Sequence, residues 1–456
     1  MLPVQKNEIL TVTCVDLTHE GMGVAKVEGY PIFIENLLPD EVAKVKVIKV
    51  SRSFGVGKVV ELLESSSNRV PVTDVKGTWV GTMPLQHLSY DAQLLFKQQQ
   101  VSNVMRKIAK LPDVLVRQTI GADDTTAYRN KAQIPVRNVD GQLETGFYRK
   151  NSHTLVPIED FVIQDKRIDE IVVIVRDALR KFQVLAYHEE THSGDVRHIM
   201  VRRGKNTEQV QVVLVTRTKK RLPKMLVDEI LQTCEDVVSF VQNVNSKPTN
   251  VILGDETIVY HGDDFICDEL MGLTFKISSK SFYQVNPEQT EKLYTEAIRA
   301  AKITNEDVVI DAYSGIGTIG LSLAKHAKWV YGMEIVSDAI DMAKENARMN
   351  GIDNVTYEVG SAENVMKKWL DEGVMCDVLM VDPPRKGLAP SFIDTALKMD
   401  ASRIVYVSCN PATMARDLVA FTEGGYTVEY VQPVDMFPMT VHVETVVLMT
   451  RKNVDI

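Results

Sequence analysis

Cysteine is scarce in this chain. There are five in 456 residues, at positions 14, 234, 267, 376 and 409, and no two stand at the spacing of metal ligands. That argues against a disulfide framework and points to a reducing cytoplasm. Long apolar runs are missing too, and nothing approaches the ~18 residues of a membrane span. The opening Met1-Leu2-Pro3-Val4-Gln5-Lys6 has no basic start followed by an apolar core, so no signal peptide is expected. Positive charge is not in surplus: the formal net charge is −9. Bulk electrostatic binding of nucleic acid is thereby disfavoured, and any RNA contact has to be local and shape-driven. His188, His192 and His198 lie close together without a fixed metal spacing, so no metal is expected. What is present is the composition of an ordinary soluble protein, 45% apolar and 25% charged. The length suits two to four domains, and nothing calls for an obligatory protein partner.

One stretch organises the rest: Arg403-Ile404-Val405-Tyr406-Val407-Ser408-Cys409-Asn410-Pro411. It reads as a short buried strand that runs into a thiol and is stopped by Asn-Pro. Open α/β sheets bind ligands at such strand ends. An isolated cysteine there is usually a small apolar cap, so its neighbours have to decide.

Residues 1–62 suit a small OB-like β-barrel. Ile9–Thr13 and Val42–Val50 alternate with period two, placing Lys44, Lys46 and Lys49 towards solvent. Residues 63–279 suit a mixed α+β central domain. Within it, 91–110 reads as an amphipathic helix with Leu94, Val101, Met105 and Ile108 on one stripe, packing on the catalytic domain. The basic groups Arg197-His198, Arg202-Arg203-Gly204-Lys205 and Lys219-Lys220-Arg221 are candidates for phosphate contact.

Residues 280–456 form the clearest unit, an α/β, Rossmann-like doubly wound sheet. Asn286-Pro287-Glu288-Gln289 opens a helix, with Asn as cap and Pro at the first position. Val308–Ile310 is a buried strand ending at Asp311. Gly315-Ile316-Gly317-Thr318-Ile319-Gly320 then opens a helix through His326. The next strand ends at Glu334. Ser337 can cap the helix that follows, which Gly351 ends. Strands ending at Asp382 and Cys409 repeat the rhythm, and 427–431 and 443–448 close it as an antiparallel edge pair joined by a short loop. The Gly-rich turn followed by an acid suits a dinucleotide or S-adenosylmethionine. Asp311 before the turn, Asp382-Pro383-Pro384 at a strand end and the later cysteine favour the methyl donor.

The chemistry follows from what carbon-5 of uracil lacks, which is nucleophilicity. A thiolate adding at carbon-6 makes carbon-5 enamine-like, and a base must later remove the carbon-5 proton. Cys409 supplies the thiol. Glu444 shares a strand face with Val446 and Leu448, where desolvation would raise its basicity.

Five motifs occur in order: Phe282-x-Gln284-Val285-Asn286, Asp311-x-Tyr313-Ser314-Gly315-x-Gly317, Asp382-Pro383-Pro384-Arg385-Lys386-Gly387, Ser408-Cys409-Asn410-Pro411 and His442-Val443-Glu444. Together they resemble the RNA (uracil-5-)-methyltransferase family. The N-terminal segment resembles a TRAM domain, found in the ribosomal-RNA (23S rRNA) branch and generally lacking in the tRNA branch. The resemblance implies Cys409 as nucleophile and Glu444 as proton abstractor. It places Gln284, Asp311, Tyr313, Gly315, Gly317, Glu334 and Asp382 at S-adenosylmethionine. Phe282, Gln284 and Asp382 would meet the base, with Phe282 stacking on a flipped uracil.

The chain departs from that branch in one respect. Many of its members hold an iron–sulfur cluster on four cysteines, whereas the corresponding positions here hold Val80, Met83 and Phe161. No cluster is expected. A tRNA uracil-5-methyltransferase, an NAD-dependent oxidoreductase and a non-catalytic RNA-binding protein remain the competing readings.

Overall fold

A computed structural model describes residues 2–452 as three sheets and a hairpin. The N-terminal sheet has six strands, in the order Ile9–Thr13, Val42–Val50, Gly55–Glu64, Tyr30–Glu35, Gly23–Val27 and Asp16–Leu17. Period two is legible in Val42–Val50: Ala43, Val45 and Val47 are buried while Lys44 and Lys46 face solvent. A register shift after Val47 leaves both Ile48 and Lys49 exposed. Glu41 is fully buried below this sheet. It is held by Arg69 Nη2 at 2.7 Å and by the Leu38 amide at 2.8 Å.

The central sheet has seven strands, from Leu155–Pro157 at one edge to Glu256–His261 at the other. Helices Lys166–Lys181 and Lys224–Thr233 share its core. Two of the expected phosphate-contacting arginines serve the fold instead. Arg197 is buried and donates to the carbonyls of Asn245, Lys247 and Thr249. Arg202 is buried and donates to the carbonyls of Ser278 and Ser281. Carbonyls at chain turns are oxygen acceptors just as phosphates are, and the sequence does not distinguish them. Lys219 and Lys220 are exposed, but each faces a carboxylate, Glu256 and Asp195. Val80, Met83 and Phe161 pack together in one small apolar cluster with Tyr128 and Ile158.

The hairpin Phe265–Leu270 and Leu273–Ser278 precedes the expected boundary at 279/280. It nevertheless sends Ile266, Phe275 and Ile277 into the core of the C-terminal sheet. That sheet has eight strands, in the order Val355–Val359, Trp329–Glu334, Val308–Ala312, Val378–Val381, Arg403–Ser408, Glu444–Arg451, Tyr426–Val434 and Leu115–Val116. The first five run parallel, and Glu444–Arg451 is antiparallel to both its neighbours. Apolar clusters cover both faces, as a buried parallel sheet requires.

Several local expectations change. Strand Val355–Val359 was not foreseen, because Tyr357 is the one buried residue in an otherwise half-polar run. The helix after the Gly-rich turn spans Thr318–Ala324 and stops short of His326. Ser337 is the first residue of its helix, not the cap, and makes no capping bond. The final strand pair is joined by nine residues, not a short loop, and Leu115–Val116 covers its outer edge.

Helix Tyr90–Val104 widens to a π turn over Met105–Ala109 and packs on the C-terminal sheet. Its buried stripe is Gln93, Lys97, Val101, Met105 and Ala109, so Leu94 and Ile108 lie off it. Lys97 and Asp435 form an ion pair in which neither side chain is exposed. Lys97 also donates to the Phe437 carbonyl at 3.0 Å, and Asp435 accepts from the Tyr90 hydroxyl at 3.0 Å. Removing one partner strands a buried charge. Lys97→Met is expected to lower unfolding stability by about 3–5 kcal/mol, with Lys97→Met/Asp435→Asn recovering most of the loss. Urea denaturation reads both, and a single-variant loss under about 1 kcal/mol would contradict the pairing.

Candidate active site

Each site residue stands where a strand stops. After Val308–Ala312 the chain turns sharply. Tyr313 takes φ +68°, a costly conformation for a tyrosine, and its ring packs 5.9 Å from that of Phe392. Gly315 follows at φ +55°, and a side chain there would point into open space. Gly317 is at φ +86°. Gly320 is close-packed: a Cβ there would sit 2.7 Å from Asp311 Oδ2. Glu334, at the next strand end, reaches back. Its Oε2 accepts from the Gly315 amide at 3.3 Å and its Oε1 from the Val336 amide at 3.1 Å.

Three buried polar atoms around this turn have no partner: Asp311 Oδ2, Ser314 Oγ and Tyr357 Oη. Buried orphans of this kind ask for a ligand. Asp311 has its carboxyl raised to about 8, by burial first and then by the charge of Asp382. A concave Gly turn, an open space at Gly315, a buried carboxyl that the Gly320 amide faces and a half-buried glutamate suit a polar ligand with hydroxyls.

The second half of the site lies across the sheet. Asp382 follows its strand half-buried, and desolvation raises its carboxyl to about 7. Cys409 stands on the turn between strand Arg403–Ser408 and helix Pro411–Glu423. Asn410 fixes that turn: its Oδ1 accepts from the Ala412 amide at 3.1 Å, and its Nδ2 donates to the Arg385 carbonyl at 3.0 Å. Glu444 opens the antiparallel neighbour. The ladder pairs Ser408 with Thr445, so Cys409 and Glu444 face each other one step past its last rung. The Thr445 hydroxyl donates to the Ser408 carbonyl at 3.3 Å and pins that register.

The electrostatics follow from this crowding. Burial raises Glu444 to about 8; Asp382 adds to the rise and Arg385 opposes it. The Cys409 thiol is raised to about 11, by burial first and then by the charges of Glu444 and Asp382, again against Arg385. The helix N-terminus beside it, which by itself favours a thiolate, does not prevail. The thiol therefore rests protonated, with two carboxyls that titrate near neutrality as its neighbours.

Phe282 is 70% exposed, the one phenylalanine among the exposed large apolar side chains of the described residues. Its segment is held from beneath by the Arg202 bonds to Ser278 and Ser281, and the Asn130 amide donates to the Val285 carbonyl at 2.9 Å. Gln284 is half-buried on the same segment. The residues expected at the donor, the base and the thiol chemistry thus sit at or just beyond a strand end, or on this supported segment. Ser314, Tyr357 and Arg385 were not assigned roles. Two of them lie inside quoted motifs, but Tyr357 lies in the strand that went unseen.

Comparison with known proteins now bears on the family. The model of the tRNA (Uracil-5-)-methyltransferase family matches residues 89–452, and that of the TRAM domain matches 3–60. This chain belongs to the uracil-5-methyltransferase family. An uncharacterized RNA methyltransferase of Enterococcus faecalis is 54% identical over 450 residues, 98% of either chain. One of Lactiplantibacillus plantarum is 54% identical over 455 residues, 99% of either. The crystal structure of the Pyrococcus abyssi tRNA (uracil-54, C5)-methyltransferase with S-adenosyl-L-homocysteine superposes with a TM-score of 0.77 at 26% identity. It covers 97% of this chain and all of that one. The chain is an S-adenosylmethionine-dependent RNA methyltransferase with an N-terminal TRAM domain. The oxidoreductase and non-catalytic readings fall away. Among the described residues no helix is long and apolar enough to cross a membrane.

Glu334→Ala should weaken binding of S-adenosylmethionine. Charge-assisted bonds to the ligand are worth roughly 1.5–3 kcal/mol each, and the Gly315 amide also loses its anchor. Calorimetry is expected to show affinity at least tenfold lower with the fold intact, and an unchanged Kd would contradict it.

A second expectation concerns pH. A carboxyl whose folded value lies above its unfolded one favours the folded state while it keeps its proton. For Glu444 that contribution is whole below about 4.5 and is lost as pH rises through about 8. Glu444→Gln keeps the shape and removes the charge. Its melting temperature should exceed that of the wild type at pH 9 and match it at pH 4. A lower value at pH 9 would contradict the burial argument.

Proposed function

We propose that this protein methylates carbon-5 of a uridine in 23S ribosomal RNA, yielding 5-methyluridine through a covalent bond between Cys409 and the base. The observation that carries this reading is the ladder register that sets Cys409 opposite Glu444, with the Asp382 charge acting on both. In this reading Asp311, Tyr313, Gly315, Gly317, Glu334, Gln284 and Asp382 hold S-adenosylmethionine, which supplies an electrophilic methyl group. Phe282 stacks on the flipped base, and Gln284 and Asp382 meet its polar edge. Cys409 gives up its proton to Asp382, which leaves Glu444 unprotonated for the later step, and its sulfur bonds to carbon-6. The electron pair displaced from the ring's double bond moves towards carbon-5, which takes the methyl group. Glu444 then removes the carbon-5 proton, the carbon–sulfur bond breaks, the double bond returns and Cys409 leaves.

The finer architecture belongs to the same proposal. Residues 1–62 are an OB-like barrel for RNA, 63–279 a central RNA-binding part, and 280–456 a Rossmann-like catalytic part. The packed Val80, Met83 and Phe161 favour a protein without an iron–sulfur cluster. The place of action is the cytoplasm.

Transfer RNA is the second reading. The Pyrococcus abyssi enzyme named for tRNA covers 97% of this chain, so the N-terminal sheet alone does not choose between substrates. Transcripts of 23S rRNA and tRNA, offered with S-adenosylmethionine labelled in the methyl group, decide. Label in the ribosomal transcript, recovered as 5-methyluridine, is expected. Label in tRNA alone would overturn the ribosomal assignment.

A further inference from the structure

A groove of about 830 Å³ runs between the N-terminal sheet and helix Tyr90–Val104 and ends at Asn410, Pro411 and Ala412, directly after Cys409. The helix explains its existence. One face is buried: Val101 enters the core of the C-terminal sheet, Lys97 meets Asp435, and Gln93 donates to the Leu85 and Leu88 carbonyls. The other, with Leu95, Phe96, Gln99 and Asn103, lines the groove. The N-terminal sheet bridges to this outer face without filling the space. The Gln100 amide donates to the His19 carbonyl at 3.4 Å, and Phe96 packs with Leu38, Leu85 and Leu88.

Two features of the lining point to an occupant. The first is apolar surface left open in a concave place: Leu95 is 60% exposed and Ile108 38%. Flat apolar matter would cover it. The second is the polar complement. Gln99, Gln100, Asn103 and Asn68 are amides; Gln100 already donates to His19, Asn68 Oδ1 accepts from Ser89 and Asn103 Oδ1 accepts from Arg106 at 2.9 Å, so Gln99 and the Asn103 Nδ2 are the groups left to offer. Asp16 and Asp40 are carboxylates, and Lys107 is the one lysine among the lining residues. A run of phosphates is repelled by that balance, whereas a base presents exactly the mixed donor and acceptor edge that amides bind. Asn410, Pro411 and Ala412 in the lining follow Cys409 directly in the chain, which puts such a base next in line to the one at Cys409.

We propose that this groove receives one unpaired nucleobase of the substrate RNA, flanking the methylated uridine, and reads its edge through Gln99 and Asn103. The proposal rests on the uracil-methylation reading and adds a source of sequence preference that the catalytic residues do not provide. The base lies on Leu95 and Phe96 and turns its edge to the amides. Its phosphates stay at the mouth.

The test compares wild type with Gln99→Ala/Asn103→Ala on whichever transcript accepts the methyl group. Each nucleotide near the target uridine is made abasic in turn. For the intact transcript the double variant should raise KM about tenfold, the scale of a lost two-amide contact, with kcat within about twofold. At one abasic position the wild type should show the same rise and the double variant no further loss. Leu95→Arg, which fills the groove, should repeat the KM effect with an unchanged melting temperature. An unaltered KM in all variants would overturn the proposal. So would a penalty equal at every abasic position, which would leave the groove to a protein segment or to nothing. Absence of methyl transfer by the wild type to any RNA would overturn the reading of the active site itself, a result distinct from transfer that ignores the groove.

Discussion

Cys409→Ala is expected to abolish methyl transfer, with turnover falling on the order of 10⁴-fold or more, the scale on which loss of a covalent nucleophile acts. The Gly-rich turn proposed to hold the donor follows another strand, so S-adenosylmethionine affinity should stay within a few-fold of wild type. The fold should hold as well. Cys409 is half-buried on a turn whose geometry comes from Asn410, Ser408 and Thr413, not from the thiol. Loss of turnover with retained donor binding is therefore the informative pattern. A denaturing gel should show no band of RNA-bound protein. Measurable turnover in this variant would mean that carbon-5 is activated without sulfur.

The pH dependence of the wild type belongs with this argument. With the thiol at about 11 and Glu444 at about 8, both the attacking and the proton-accepting forms grow as pH rises through neutrality. Bound RNA and donor would shift these values further by displacing water from Asp382 and Glu444 and bringing charge to them.

What could be read from the chain alone divides along a physical line. Strand ends were legible, because a buried parallel strand is a run of Val, Ile and Met that stops at its first polar residue. Glu334 closes one such strand and Asp382 follows another, while Asp311 lies one residue inside the end of its strand and Cys409 one residue past Ser408. The pairing of Cys409 with Glu444 was legible only as chemistry. The register of Ser408 against Thr445 is a property of the sheet. Buried polar groups were the least legible. Arg197, Arg202 and Lys97 look like surface charge in sequence and are each satisfied by carbonyls or a carboxylate brought from 48 to 340 residues away. Helix Tyr90–Val104 shows why periodicity misled. Its buried stripe is anchored by Gln93 and Lys97, while apolar Leu95 and Ile108 stay exposed along the groove.

Glu444→Gln should fail in a different way from Cys409→Ala. If Glu444 acts after the methyl group has arrived, the variant still forms the sulfur–carbon bond and still methylates, but elimination lacks its base. Multiple turnover should fall roughly 10²–10⁴-fold, the usual contribution of a positioned base. The methylated base should stay bonded to Cys409 as a slow-migrating band of RNA-linked protein. The site favours such a trap. Glutamine keeps the size of the buried side chain at the strand end, and the Ser408–Thr445 pairing that sets the register does not depend on the carboxylate. Asp382 remains within electrostatic reach of Cys409 and can take the thiol proton in the first step. It belongs to the parallel strand on the other side of Cys409, and the proposed mechanism gives the later proton to Glu444 alone. A transcript with fluorine in place of the carbon-5 hydrogen should produce the same band in the wild-type enzyme, since no proton is there to remove. The double variant Cys409→Ala/Glu444→Gln should lose the band entirely. Equal bands from the two single variants would place the nucleophile elsewhere. No band from Glu444→Gln, with turnover still lost, would mean that Glu444 is needed before the bond forms, as acceptor of the Cys409 proton.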